Sequence, residues 1–192
     1  MATQSLLYVT PEQYLEFDRN AESKHEYFFG EIVAMPRGSF QHNLISMNAG
    51  GELRQQLLKQ PCSVLSSDMR VAVNTKTGYV YPDVTVVCGI PEFTDGIKDT
   101  IANPKLVVEV LSPSTRDNDL GVKVGLYVRL PVLSDFILIE QDKVWIEHWY
   151  RSTDGGWKNT VLEEGTLEIA SLKCTIPLSQ IYLGVELPAA GE

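Results

Sequence analysis

No apolar run in this chain of 192 residues reaches the roughly 18 residues that a membrane-spanning helix needs. A membrane partner is therefore not expected. The first residues, MATQSLLYVTPEQYLEF, lack the basic start and apolar stretch of an export signal, so a cytoplasmic location is expected. Cysteine is scarce: Cys62, Cys88 and Cys174 stand far apart, with no CxxC pair. That spacing argues against zinc and against a disulfide framework, and predicts three small, reduced, buried side chains. Positive charge is also short, with 16 Lys and Arg against 25 Asp and Glu and a net charge of −9. Such a chain cannot coat nucleic acid through a broad basic surface, although a local contact stays possible. Repeats, low-complexity tracts and Pro/Ser-rich linkers are lacking too, so residues 1–192 read as a single domain.

What is present is an ordinary globular composition, 44% hydrophobic and 21% charged, enough to bury a core at this length. TPEQYLEF reads as a short helix with Thr10 as its cap and Pro11 in its first turn, and GEIVAM as a strand. Over 41–59 the apolar period is helical: Ile45, Ala49, Leu53 and Leu57 recur every four residues. Gly50-Gly51 weakens the middle of this helix and suggests close packing against a neighbour. VLSSDMRVAV alternates, with Met69, Val71 and Val73 on one face and Asp68, Arg70 and Ala72 on the other. YVYPDVTVVCG is strand-like with a proline inside, which marks an irregular or edge strand. A loop of about 15 residues, of the length that often carries function, leads into the strand KLVVEVL. After SPST, where Ser114, Thr115 or Asp117 can cap, the pattern is helical over 117–129. DFILIE is a buried strand. VWIEHWY and WKNTVLE form a hairpin around Asp154-Gly155-Gly156, and the tail holds one more strand and a short helix. This order predicts an α/β or α+β layered fold with a mixed central sheet.

Two acids break the pattern of their surroundings. Asp83 follows Pro82 at the head of the run Val84-Thr85-Val86-Val87, and Glu109 lies between Val108 and Val110. Ionised carboxylates are rarely buried unless paired or bound to a cation. Two strands joined by one long loop can lie side by side, so these acids can converge. Converging carboxylates repel unless a cation holds them. Oxygen ligands suit Mg²⁺ or Mn²⁺, with Asp83, Glu109 and the Val110 carbonyl as the shell. Such a cation activates water and neutralises charge on a scissile phosphate. Many metal nucleases place a lysine two residues after the glutamate, but here Leu111 stands there. On the 117–129 helix Leu120, Val124 and Tyr127 form the buried stripe, and Lys123, roughly 60° from its centre, can take the place of that lysine. The plain alternatives are a salt bridge from Glu109 to Arg70 or Lys123, a Pro-Asp turn at Asp83, and a solvated Lys123. His42 opens the long helix as a candidate phosphate contact. Glu26 and Glu31 flank an aromatic run as candidate accessory ligands. Between Arg37 and Lys76 five basic residues face two acidic ones, which makes Arg54, Lys59 and Arg70 candidate nucleic-acid contacts.

The segments EYFFGEIVAM, SFQHNLI, SDMRVAV, YPDVTVVCG, NPKLVVEVLSPSTRDNDLGVKVGLY and LGVEL resemble the Uma-type (Uma-two) family of restriction-endonuclease-like proteins, within the PD-(D/E)XK nuclease superfamily. The resemblance spans about Tyr8 to Val185. It implies a restriction-endonuclease-like αβββαβ core over about 25–141, a mixed sheet flanked by helices. The C-terminal hairpin and tail, 142–192, are then additions. By resemblance Asp83 and Glu109 are the motif acids, and the motif lysine has moved to Lys123. The implied activity is Mg²⁺- or Mn²⁺-dependent endonucleolytic hydrolysis, with DNA as partner. The rival expectation is a nuclease fold that binds nucleic acid or a partner without cleaving. A homodimer is expected as well; Trp145, Trp149 and Trp157 on the hairpin could build its interface, and core packing of these tryptophans is the equal alternative.

Overall fold

A computed structural model describes residues 8–112 and 119–188. Helix α1 (Pro11–Asn20) begins at a reciprocal cap: Gln13 N–H donates to Thr10 Oγ1 at 3.3 Å and Thr10 N–H to Gln13 Oε1 at 2.9 Å. Strands β1 (His25–Phe28) and β2 (Glu31–Ala34) follow. Their two-residue turn, Phe29-Gly30, has φ of 51° and 100°, the doubly left-handed turn that matches strand twist. Helix α2 (Phe40–Leu57) buries the expected stripe Ile45, Ala49, Leu53 and Leu57. Its N-cap Ser39 accepts from His42 N–H at 3.0 Å and donates to Gln141 Oε1 at 2.9 Å.

The segments expected as two long strands are each broken, and their halves join different sheets. The first splits into β3 (Cys62–Ser66) and β4 (Arg70–Asn74), the second into β5 (Gly78–Val80) and β6 (Val84–Cys88). A turn closed by Met69 N–H on Ser66 C=O makes the first break. Pro82, which has no N–H to continue a ladder, makes the second. With β7 (Thr100–Ile101), one sheet has the order β2-β1-β5-β4-β7. The second adds β8 (Leu106–Leu111), β9 (Asp135–Glu140), β10 (Ile146–Arg151) and β11 (Trp157–Leu162), in the order β11-β10-β9-β8-β6-β3. The β8–β9 pair is parallel and its neighbours antiparallel, the mixed sheet expected. The tail contributes two strands rather than one, the hairpin β12 (Thr166–Ile169) and β13 (Cys174–Pro177). Between β8 and β9, residues Asp119–Lys123 form a single π-helical turn that continues into α3 (Val124–Tyr127), and α4 (Leu178–Ile181) closes the fold.

One core lies where α2, α4 and the β12–β13 hairpin cover the six-stranded sheet through Ile45, Leu53, Val108, Val110, Ile137 and Ile176. A second lies on the other face, where Val71, Val73 and Val80 of the five-stranded sheet meet Val107, Leu111, Phe136 and α3. The three tryptophans expected at a homodimer interface pack on this second cluster. Trp149 stacks on Phe136 at 5.4 Å and Trp157 meets it edge-on at 5.3 Å. On α3 Leu126 and Tyr127 are buried, and Val124 packs partly buried against the same cluster.

The long loop is anchored to α1. Arg19 donates to Asp95 at 2.7 Å and to both oxygens of Asp99 at 2.7 and 2.9 Å. This forked pairing holds the Asp99 carboxyl down at about 2. The expectation of three reduced cysteines is corrected for two of them: Cys62 and Cys88 stand directly opposite in the β3–β6 ladder and form a disulfide, while Cys174 is free and buried. A separation of 26 residues hides that pairing from any local motif.

Two outcomes are expected. Thiol titration of the unfolded, unreduced chain should count one free cysteine, and Cys62→Ser/Cys88→Ser should cost about 2–4 kcal/mol of stability by releasing the closed loop. Asp99 is depressed in the folded state, so its stabilising effect is present above its ordinary value of 3.8 and lost as pH falls toward about 2. In thermal melts the gap between the parent and Asp99→Asn should close over that window.

Candidate active site

The β6–β8 register pairs Val84 with Val108, and one step further places Asp83 opposite Glu109. Asp83 stands just outside β6, released by Pro82, and its Oδ2 accepts the Val110 N–H at 2.7 Å. His42, in the first turn of α2, brings Nε2 to 3.2 Å from the same oxygen. Asp83 Oδ1 accepts no hydrogen bond among the described residues. Glu109 shares its strand face with Val107 and Leu111, which lie in the second core. Leu111 is fully buried there among Leu126 and Tyr127. That packing is why an ammonium at this position comes from the helix above the strand and not from the strand itself.

Lys123 supplies it. Its Nζ lies 3.2 Å from Glu109 Oε1 and 2.9 Å from Glu26 Oε1, and all three side chains are about 5% exposed. Tyr127, one helical turn on, donates its hydroxyl to Glu109 Oε1 at 2.6 Å. Lys123 and Tyr127 thus grip the same carboxylate oxygen from one helix face. The π-helical turn that ends at Lys123 is of the kind often found at functional positions.

Glu26 is held in turn by the Tyr81 N–H at 3.1 Å. The Tyr81 hydroxyl donates to Asp18 at 2.5 Å and accepts from Arg70 Nε at 3.0 Å, and Arg70 pairs with Asp18 at 2.7 Å. Burial first, then the bond to Asp18, pushes the Tyr81 phenol well above its usual range. Asp83, Glu109, Val110, Lys123, His42 and Tyr81 line one cavity of about 750 Å³.

Of the residues singled out from the sequence, Asp83, Glu109, Val110, Lys123 and His42 come together, and Glu26 joins them through Lys123. Arg54 lines the same cavity farther along α2. Glu31 does not join; it is exposed on β2. Lys59 lies beyond the end of α2, also exposed. Arg70, expected at a nucleic acid, is buried in the pair with Asp18, because its strand β4 is covered on both faces. Ser114, Thr115 and Asp117 lie outside the described residues. Tyr127 was legible only as a core residue; its spacing of four from Lys123 was the available signal.

Glu26, Asp83 and Glu109 are three carboxyl groups around the single ammonium of Lys123 among the described residues, a formal excess of two negative charges. Two hard carboxylates carrying that excess, one with an open oxygen, fit a divalent cation bound through oxygen. No cluster of three or more His, Cys, Asp or Glu side chains fit for a metal occurs among the described residues. A cation here therefore also requires backbone or solvent oxygen, as the Val110 carbonyl expectation has it.

A family model described as "Uma2: Putative restriction endonuclease" matches residues 11–179. The chain belongs to the Uma2 family. Two relatives from Synechocystis sp., the uncharacterized proteins slr1290 and sll1609, are 34% and 33% identical to this Uma2 chain over 178 and 175 residues. They cover 92% and 90% of it, and 93% and 98% of their own lengths are matched. A crystal structure titled as "a putative nuclease belonging to DUF820" from Anabaena variabilis superposes with a TM-score of 0.72 at 14% identity, over 91% of this chain and 97% of that one. The Uma2 chain thus has the restriction-endonuclease-like mixed α+β fold expected of it.

Removing Lys123 should expose the cost of its partners. Lys123→Met takes the ammonium away from the buried Glu26 and Glu109, and should lose roughly 3 kcal/mol in denaturant unfolding. Adding Glu26→Gln should recover part of that loss, a coupling that a double-mutant cycle reads directly.

Proposed function

We propose that this Uma2 protein is a nuclease that hydrolyses phosphodiesters, DNA being the substrate, with Mg²⁺ or Mn²⁺ as cofactor. The observation that carries the reading is the Lys123 ammonium 3.2 Å from Glu109, on the strand face that Asp83 also meets. Asp83, Glu109 and the Val110 carbonyl would hold the cation, which when bound supplies a Lewis acid for water and phosphate oxygen. The protein's own residues do the rest. Tyr127 and Lys123 fix Glu109 Oε1, so the carboxylate keeps one orientation. The Val110 N–H does the same for Asp83 Oδ2. Lys123, rigid between two acids, presents positive charge where a pentavalent phosphorane would gain negative charge. His42, at the cavity wall, would meet a phosphate oxygen.

A second reading, a nuclease fold that binds without cleaving, is favoured by Leu111 where metal nucleases place a lysine. Supercoiled plasmid incubated with Mg²⁺ or Mn²⁺ separates the two. The expected result is metal-dependent nicking that falls at least a hundredfold in Asp83→Ala, Glu109→Gln and Lys123→Met. Divalent-ion and nucleic-acid binding with no nicking would leave the binder.

A further inference from the structure

The cavity that ends at Asp83 and Glu109 extends well beyond them. One wall is the face of α2 carrying Asn43, Met47, Gly50, Gly51 and Arg54; the other is the edge strand β3 and the turn after it. From Asn43 to Arg54 the helix axis advances about 17 Å, room for several nucleotides and far more than one phosphodiester requires.

The middle of that wall is bare backbone. Glycine is the poorest helix former after proline, yet two glycines stand side by side inside an 18-residue helix. Packing does not account for them. A Cβ on Gly50 would sit 3.5 Å from Val84, an ordinary contact, and one on Gly51 would meet nothing within 4 Å. The close packing expected from the sequence is therefore absent at Gly51, whose open side is the cavity. Met47 is 70% exposed beside it. Arg37 and Arg54, at the two ends, are exposed and make no hydrogen bond or ion pair among the described residues.

The groove thus offers a charge for phosphate at each end, an apolar and peptide surface for bases between them, and the acids at its floor. Those acids are recessed, with side chains 12% and 5% exposed. Two open arginines on a chain of net charge −9 match one strand rather than a duplex laid across a basic face. Resting on the proposed function, we infer that the groove along α2 is a single-strand channel. In it phosphates lie at Arg37 and Arg54, bases lie over Met47 and Gly50-Gly51, and the substrate is a single-stranded segment or an unpaired end.

The test is fluorescence anisotropy of a short single-stranded DNA on the full chain carrying Glu109→Gln, alone and with Gly51→Leu or Arg54→Glu added. Each addition should weaken binding about tenfold, and Arg54→Glu should flatten the slope of log K against log salt by about 0.7. A blunt-ended duplex of the same sequence should bind at least tenfold more weakly. Gly51→Leu should melt at or above the parent, since leucine is the better helix former and enters open space. Equal affinity for duplex, or unchanged binding in both variants, overturns the channel; so does a lower melting point for Gly51→Leu, which would mean that the glycine is packed. Cleavage of the same single-stranded DNA by the parent chain with Mg²⁺ or Mn²⁺ keeps the two proposals apart. Strand binding without strand cleavage removes the hydrolase and leaves the channel. Cleavage with binding indifferent to Gly51 and Arg54 removes the channel and leaves the hydrolase.

Discussion

A buried ammonium between two buried carboxylates holds this structure together at its most costly point. Lys123 comes from the helical segment, Glu26 from the five-stranded sheet and Glu109 from the six-stranded sheet. No one of these charges is tolerable alone in that environment, because desolvation exceeds what an unpaired ion recovers. Joined, they lock two sheets and a helix into one relative position. The partners then follow by hydrogen-bond satisfaction. The Tyr81 amide donates to Glu26 and the Tyr127 hydroxyl to Glu109, while Asp18 and Arg70 fill the remaining capacity of the Tyr81 hydroxyl.

Pro82 works with this pair from the other side. By ending the ladder between β5 and β6 it sends one segment into both sheets and leaves Asp83 outside regular pairing. The Val110 amide then takes the Asp83 carboxylate, so the two acids that repel each other are pinned by separate donors. The same architecture leaves the α2 wall open at Gly51, since the buried stripe of that helix packs on the six-stranded sheet while Gly51 meets nothing within 4 Å.

How much of this was readable beforehand depends on the residue. Asp83 and Glu109 stood out because carboxylates inside apolar runs demand a reason, and Lys123 because helical angle and family resemblance agreed. Glu26 carried only a faint signal, and Tyr127 looked like any core aromatic. Arg70 was misplaced because strict alternation assigns a strand one wet face, whereas β4 is buried on both. Glu31 and Lys59 were drawn in by charge alone and lie elsewhere. The tryptophans could fill either an interface or a core; Phe136, on a strand ten residues or more away, decides for the core. The Cys62–Cys88 bridge was invisible because ladder register, and not spacing, brings the sulfurs together.

Local order, then, was in the chain itself. Periods of two and near 3.6 set strands and helices, Thr10 and Ser39 set helix starts, and Phe29-Gly30 set a turn. These depend on interactions between residues a few positions apart. Which strand joins which sheet, which cation meets Glu109, which cysteines bond and which glycines face open space depend on contacts between segments that approach only when the whole chain has collapsed. Their energies belong to pairs distant in sequence, so no window of residues contains them, and tertiary packing alone selects among them.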